Sequence, residues 1–255
     1  MENKSRPRFS VVIPAYNEAS TITPTLEAIL TQTYPDFEVI VVNNASTDNT
    51  AQVVNEYASK YASKYVDKHT NNPDSRIRLV LETKKGLLHA RDRGRREARG
   101  KIIANMDADC LPEEDWLENA VKHFERANVV AVSGPYNYHD AHPFFRVSSY
   151  IMQNYIYRPA AFVLQLPFIQ GGAVLIGGNN LIRAEVLEKM GGYNTALVFY
   201  GEDTDTAKRV AKHGRVVFSP RISMKTSARR FKDEGTLKMT FRYLFHFFKH
   251  TFSSI

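Results

Sequence analysis

Short apolar runs, each closed by a polar or proline stop and followed by a helical periodicity, recur along the first half of this 255-residue chain. That rhythm limits the fold more than any other feature. Phe9–Pro14, Phe37–Asn43, Ile77–Leu81, Lys101–Met106 and Asn128–Ser133 are the five runs. Short, mostly apolar runs of this kind read as buried strands. Helical patterns lie between them. From Ser20 onward, Ile22, Leu26, Ile29 and Leu30 share a face, and Pro24 is tolerable because it falls in the first turn. Ser46–Thr50 offers N-cap residues for a helix carrying Val53, Val54, Tyr57, Tyr61 and Tyr65, and His69–Ser75 reads as a loop. Leu87–Arg99 carries a stripe of Ala90, Gly94 and Ala98 that lets a helix pack closely. Pro112 opens a helix whose Trp116, Leu117, Ala120, Val121 and Phe124 face the core. The alternation predicts an α/β fold with a mostly parallel central sheet flanked by helices. After residue 135 it gives way to an aromatic, irregular stretch to about Gln170. Strand character resumes at Gly172–Gly177, and short helices follow near 184–190 and 202–213, closed by Gly191 and Gly214.

Composition narrows the class. Hydrophobic residues at 43% and charged residues at 24% exclude intrinsic disorder and coiled coil. A single cysteine, Cys110, excludes an internal disulfide and a multi-cysteine zinc site. The net charge of +7 attracts phosphates, nucleic acid or anionic lipid without choosing among them. No interleaved aromatic-basic RNA motif is evident in the α/β region, so nucleic acid is not the expected partner. Met1–Arg8 is polar and basic and lacks an apolar signal core, so a cytoplasmic location is expected. The longest apolar stretch, Phe162–Gly178, is broken by Gln165, Pro167 and Gln170, so no membrane span is expected.

Three clusters carry chemistry. Asp107-Ala-Asp109 follows an apolar strand, and in extended backbone residues i and i+2 point the same way. Two carboxylates at the carboxyl end of a parallel strand lie where open α/β sheets bind ligands, and their hard oxygens suit Mg2+ or Mn2+ bridged to phosphates. A polar turn capping the next helix would read the same way. Glu202-Asp203-Thr204-Asp205 opens a helix, where acids are favoured by the macrodipole. The adjacent Phe199-Tyr200-Gly201 suggests a partly apolar site able to raise a carboxylate toward general-base range. Lys84-Lys85-Gly86 precedes Arg91, Arg93, Arg95, Arg96 and Arg99, most of which are expected to be solvated, with one or two free to meet phosphate. Gly171-Gly172 and Gly177-Gly178 allow close backbone approach to a ligand, or ordinary turns. Neither a dinucleotide glycine fingerprint nor a P-loop is present.

Taken in order, Ser10-Val-Val-Ile-Pro-Ala-Tyr-Asn-Glu18, Val41–Thr50, Lys85-Gly86 with Ala90-Arg91-Asp92, Asp107-Ala-Asp109, Gly178-Asn179-Asn180, Gly191-Gly192-Tyr193 and Gly201-Glu202-Asp203 resemble the family 2 glycosyltransferases over about residues 9–218. The resemblance implies a GT-A fold, a nucleotide-sugar donor, a divalent metal (Mn2+ or Mg2+) and inversion at the anomeric carbon. It implies that Pro14, Ala15, Tyr16 and Glu18 line the nucleotide pocket, completed by Asn44, Lys85 and Gly86. Asp107 and Asp109 would flank the ribose and the metal-diphosphate, with Asp109 on the metal. Asp203 would be the base, with Glu202 beside it, and Gly178-Asn179-Asn180 would lie on the acceptor side. The chain departs from the family at Asn43-Asn44, where Asp-Asp is usual; an asparagine can donate as well as accept. A UDP-sugar is the favoured donor, with dTDP- and GDP-sugars open.

The organisation expected is a catalytic domain over 1–220 and a basic amphipathic tail over 221–255. Leu237, Phe241, Leu244, Phe245, Phe248 and Phe252 recur at helical spacing opposite Lys238, Arg242, His246, Lys249 and His250. Such a helix reads as lying in a membrane interface, or as packing on the domain or a second copy. A peripheral membrane position suits a lipid-linked acceptor, and Tyr136–Phe168 could shape its pocket. Arg229-Arg230 offers cations to the leaving diphosphate, to an acceptor phosphate, or merely to solvent. A metal-dependent nucleotidyltransferase and a non-enzymatic membrane-surface adaptor are the alternatives. A haloacid-dehalogenase-type phosphatase is disfavoured because its Asp-x-Asp follows the first strand.

Overall fold

The computed structural model describes residues 7–64, 76–166, 172–197, 201–235, 238, 239, 242 and 245. The chain runs through β1 (Phe9–Ala15), α1 (Ile22–Leu30), β2 (Phe37–Asn44), α2 (Thr50–Lys64), β3 (Ile77–Glu82), α3 (Leu87–Glu97) and β4 (Ile102–Met106). It continues through β5 (Leu111–Pro112), α4 (Trp116–Phe124), β6 (Val129–Ser133), β7 (Tyr136–Tyr138) and α5 (Pro143–Ile151). A π-helical segment (Met152–Tyr157) leads into α6 (Arg158–Val163). Then come β8 (Asn179–Arg183), α7 (Ala184–Lys189), α8 (Glu202–Ala211), β9 (Arg215–Phe218), β10 (Met224–Thr226) and α9 (Arg229–Glu234).

Seven strands form one sheet in the order β3-β2-β1-β4-β8-β6-β9. All neighbours pair in parallel except β8, which runs antiparallel to β4 and β6. The apolar runs are strands because both faces are covered. Phe9, Val11 and Ile13 of β1 enter one core layer with Leu26, Trp116 and Leu117, whereas Val12 enters the other with Ile40, Leu88 and Ala90. The small-residue stripe does what its spacing predicts. A Cβ on Gly94 would lie 2.2 Å from Val12 Cγ1, so α3 can press onto β1 and β2 only without a side chain there.

The strand expected at Gly172–Gly177 lies instead at Asn179–Arg183. Its polar start disguised it: Asn179 and Asn180 are buried inside the sheet, their amides satisfied by partners both near and distant in the chain. Pro112 does not open a helix either. It pairs within β5, and α4 begins at Trp116. β5, β10 and β7 form a second sheet, with β10 between the other two. Ile222 and Met224 belong to the larger core cluster, so the body continues past residue 220. The loop His69–Ser75, Tyr65, Gly171, Phe199-Tyr200 and most of the tail expected over 236–252 lie outside the described residues. Among the described residues no helix is long and apolar enough to cross a membrane.

Candidate active site

β1, β2 and β4 end on the same rim because they run parallel, and the residues that follow them converge there. After β4 the backbone turns, with Cys110 N donating to Asp107 O, so Asp107 and Asp109 are not i and i+2 of an extended strand as expected. Asp107 turns toward Arg91, whose Nη2 lies 3.3 Å from its Oδ1. The other arm of the same guanidinium reaches Asp203 Oδ1 at 3.4 Å. One buried cation therefore ties the Asp-x-Asp motif to the acidic start of α8. Arg91 is 4% exposed, whereas Asp107 and Asp203 keep 37% and 35% of their side chains open. The carboxylates thus face the cleft and the cation backs them. Burial pulls the Arg91 pKa down, but Asp107, Asp203 and Glu202 more than reverse it, so the guanidinium stays charged.

The reading of the α3 arginines as mostly solvated missed this residue. Its signal was position: Arg91 falls on the Leu88–Gly94 face, three residues from each, where an apolar side chain is the rule.

Two glycines before β8 complete the rim. Gly177 N donates to Asp203 Oδ2 at 3.0 Å. A Cβ on Gly178 would lie 2.0 Å from Asp107 Oδ2 and 2.2 Å from Tyr136 Oη. The glycine pair therefore exists for close approach to the two carboxylates. Tyr136 Oη donates to Asp107 Oδ2 at 3.1 Å, another contact that spacing alone did not reveal.

Burial first, then the charge of Glu202, pushes the Asp203 pKa up to about 7, against the pull of Arg91. Glu202 itself is buried beside it. Asp109 is pushed up to about 6 by burial and then by Asp107 and Glu18, with Arg229 acting the other way. Glu18 is ion-paired to Arg229 at 2.7 Å and bonded to Thr21, so Arg229 stands at this rim; Arg230 follows it, exposed. Among the described residues no three His, Cys, Asp or Glu side chains are grouped to hold a metal by themselves.

The residues expected to line a nucleotide pocket also gather. Ala15 ends β1 buried, behind Pro14, and Tyr16 is exposed with its ring and hydroxyl against Lys85 Nζ, at 4.0 Å to the centroid and 2.7 Å to Oη. Asn44 is buried and its amide is spent on the following loop. Oδ1 accepts from Gly86 N at 2.7 Å and Nδ2 donates to Lys84 O at 2.7 Å. Both capacities of an asparagine are used, which an aspartate could not match. A cavity of about 300 Å³ joins this loop to α8, lined by Lys85, Gly86, His89, Thr195, Leu197 and Glu202.

Asn179 and Asn180, expected on the acceptor side, are buried behind the cleft rather than lining it. Asn179 Oδ1 accepts from Trp116 Nε1, and its amide donates to Gly134 O and Ile222 O. Asn180 Oδ1 accepts from Asn105, and its Nδ2 donates to Ile176 O and Gly177 O. Both hold the turn that carries Gly177 and Gly178.

A nucleotide-diphosphosugar-type α/β fold of the GT-A kind, with an acidic rim at the strand ends, is the class these features define. The family model for glycosyl transferase family 2 matches residues 10–191, and the chain belongs to that family. It is 35% identical over 130 residues to glycosyltransferase AglE of Haloferax volcanii, covering 50% of this chain and 39% of that protein. It is 29% identical over 227 residues to the probable glycosyltransferase YdaM of Bacillus subtilis, covering 83% and 48%. The chain thus spans less than half the length of either. Among solved structures, the mannosyltransferase PcManGT from Pyrobaculum calidifontis, in complex with GDP-Man and Mn2+, superposes with a TM-score of 0.71 at 28% identity, over 99% of this chain and 66% of that one. S. aureus TarS 1–349 in complex with UDP-GlcNAc shares the fold, with a TM-score of 0.65 at 18% identity over 87% and 59%.

Proposed function

We propose that this protein transfers a sugar from a nucleotide-diphosphate donor to an acceptor hydroxyl or phosphate, with inversion at the anomeric carbon. The observation that carries this reading is the Arg91 bridge, which holds Asp107 and Asp203 on one cleft in a family 2 chain. Tyr16, Glu18 and Lys85 face the nucleotide, on a platform shaped by Pro14, Ala15, Asn44 and Gly86, and Asp107 takes the ribose. Arg229 and Arg230 supply positive charge toward the diphosphate.

Asp203 removes the acceptor proton as the new bond forms, a role that suits a carboxyl held near neutrality. Glu202 raises its basicity and Gly177 N–H fixes its orientation. A single base facing the sugar from the side opposite the leaving group gives inversion. The crowding of Asp109 by Asp107 and Glu18 fits a hard divalent cation, Mg2+ or Mn2+, which Asp109 would hold. Bound there, such an ion would supply positive charge against that growing on the leaving diphosphate. A UDP-sugar is the favoured donor; the GDP-Man bound by PcManGT makes GDP-sugars the first alternative, with dTDP-sugars behind them. The acceptor is a sugar or a lipid-linked molecule on the cytoplasmic side.

The test is a thermal-shift panel of UDP-, GDP- and dTDP-sugars with Mn2+, followed by transfer assays with the donor that stabilises. Asp203→Asn should keep the donor-induced shift and lose about 10²–10⁴-fold in turnover. A panel with no stabilising donor, or a variant of undiminished turnover, removes the reading.

A further inference from the structure

β7 leads from the cleft into a helical rod made of α5, the π-helical segment and α6, and this rod is amphipathic the wrong way round for a core element. Phe144, Val147 and Ile151 recur at i, i+3 and i+7, so they form one stripe along α5, and Tyr155 and Phe162 continue the apolar surface past the wider π-helical turns. All five are exposed, Phe144 by 78% and Tyr155 by 69%, with Tyr150 beside them. The inward face is instead held by Gln153 and Ala161, both buried. The π-helical widening directly precedes Pro159, which has no N–H to donate one turn back.

Charge separates the possible occupants. From Ala141 to Ala184 the sequence contains no Asp or Glu, while Arg146 and Arg158 on the rod are exposed. The nearest preceding acid, Asp140, is taken by Lys232 and by Ala228 N–H. A second copy docked rod to rod would bring no carboxylate to Arg146 or Arg158, whereas an anionic layer would meet them. The following segment has the same character and starts beside the rod. Phe231 of α9 packs on Phe145 of α5 at 4.9 Å and on Tyr138 at 5.5 Å. The sequence from Thr236 to Ile255 also lacks acids, and its Phe245 is exposed.

We propose that the exposed stripe of the α5–α6 rod is the surface by which this protein lies on an anionic lipid bilayer. Aromatic and aliphatic side chains enter the headgroup boundary, and Arg146 and Arg158 meet lipid phosphates. The rod is tied to the cleft as well. Gln153 accepts from Tyr136 N at 2.7 Å and donates to Tyr136 O at 2.9 Å, and Tyr136 Oη touches Asp107. Lying on the bilayer therefore fixes the height of the cleft above the lipid.

The test is co-sedimentation of the full chain with phosphatidylcholine vesicles containing about one-third phosphatidylglycerol. The wild type should sediment with these and less with pure phosphatidylcholine. Phe144→Asp, Val147→Asp and Tyr155→Asp together should reduce the bound fraction about tenfold with an unchanged melting temperature, since these side chains already face water. As a check that does not depend on that triple variant, the indole emission added by Phe144→Trp should shift to the blue on adding anionic vesicles. A wild type left in the supernatant, undiminished binding by the triple variant, or an unshifted emission from the Phe144→Trp variant overturns the proposal. So does a dimer in light scattering that the triple variant dissolves, which would give the stripe to a second copy. The readout is lipid binding rather than sugar transfer, so its failure leaves the transferase reading standing.

Discussion

Arg91 Nη1 lies 3.4 Å from Asp203 Oδ1, although the two residues are 112 positions apart in the chain. The cation is sealed and the acid half-buried, so deleting the cation leaves Asp203 and Asp107 repelling each other across the cleft. Arg91→Met is expected to cost about 2–4 kcal/mol in chemical denaturation, at the lower end because the acids reach solvent. Turnover should fall by roughly 10²-fold. Arg91→Lys should recover stability better than rate, since an ammonium cannot span two carboxylates as a planar fork does. A methionine variant matching the wild type in both measurements would remove Arg91 from the site.

The acid at 203 also sets a pH dependence. Its pKa is held up at about 7 by burial and then by Glu202, so the base form dominates only above that value. Transfer should rise with pH through about 7 and level off beyond it. Stability should move the other way. The unfolded chain releases this proton near 3.8 and the folded chain near 7, so the contribution is full below 3.8 and is lost as pH rises to 7. Melting curves from pH 4 to 8 check the sign: Asp203→Asn should flatten the decline, and an unchanged slope would contradict it.

Gly178→Ala tests the crowding at the rim. The added methyl would stand 2.0 Å from Asp107 Oδ2, so carboxylate or backbone must move. Donor affinity should drop about tenfold or more, with a stability loss of roughly 1–3 kcal/mol. Gly191→Ala is the contrast. It meets nothing within 4 Å and carries only the backbone cost of φ +75°, about 1–2 kcal/mol, with donor affinity intact.

Asn44→Asp restores the residue usual in the family and should nevertheless destabilise this chain. The Gly86 N–H keeps its acceptor, but Lys84 O loses its donor and faces a carboxylate oxygen. A loss of about 1–3 kcal/mol is expected, read by urea titration. A more stable aspartate variant would mean that the loop is held some other way.

Chelation should separate binding from folding. With EDTA the donor-induced thermal shift should vanish while the ligand-free melting temperature holds, and Mn2+ or Mg2+ should restore it. In Asp109→Ala neither ion should restore it. A donor shift indifferent to chelator would exclude the metal role of Asp109.

The parallel core was legible because strands covered on both faces are mostly apolar, as Phe9–Ile13 and Phe37–Val42 are, with their polar exceptions Ser10 and Glu38 bonded to each other. β8 was not, because its Asn179 and Asn180 are polar yet buried, and partners distant in the chain, Trp116 and Asn105, help to satisfy them. The acids of the site stood out by their spacing, whereas Arg91 hid among four solvent-accessible arginines of the same helical stretch. β5, β7 and β10 are two or three residues long, too short for any periodicity to register.

The small sheet also has a kinetic meaning. β10 joins segments near residues 111, 137 and 225, and the Glu18–Arg229 pair closes a loop of 211 residues. During synthesis β1 and β2 can pair long before β10 emerges, yet the wall beside Asp109 has no partner until Thr226 and Arg229 arrive. A ribosome-stalled chain ending before residue 220 should therefore be compact but unfinished, its rim acids exposed to water and its cleft still open along one flank.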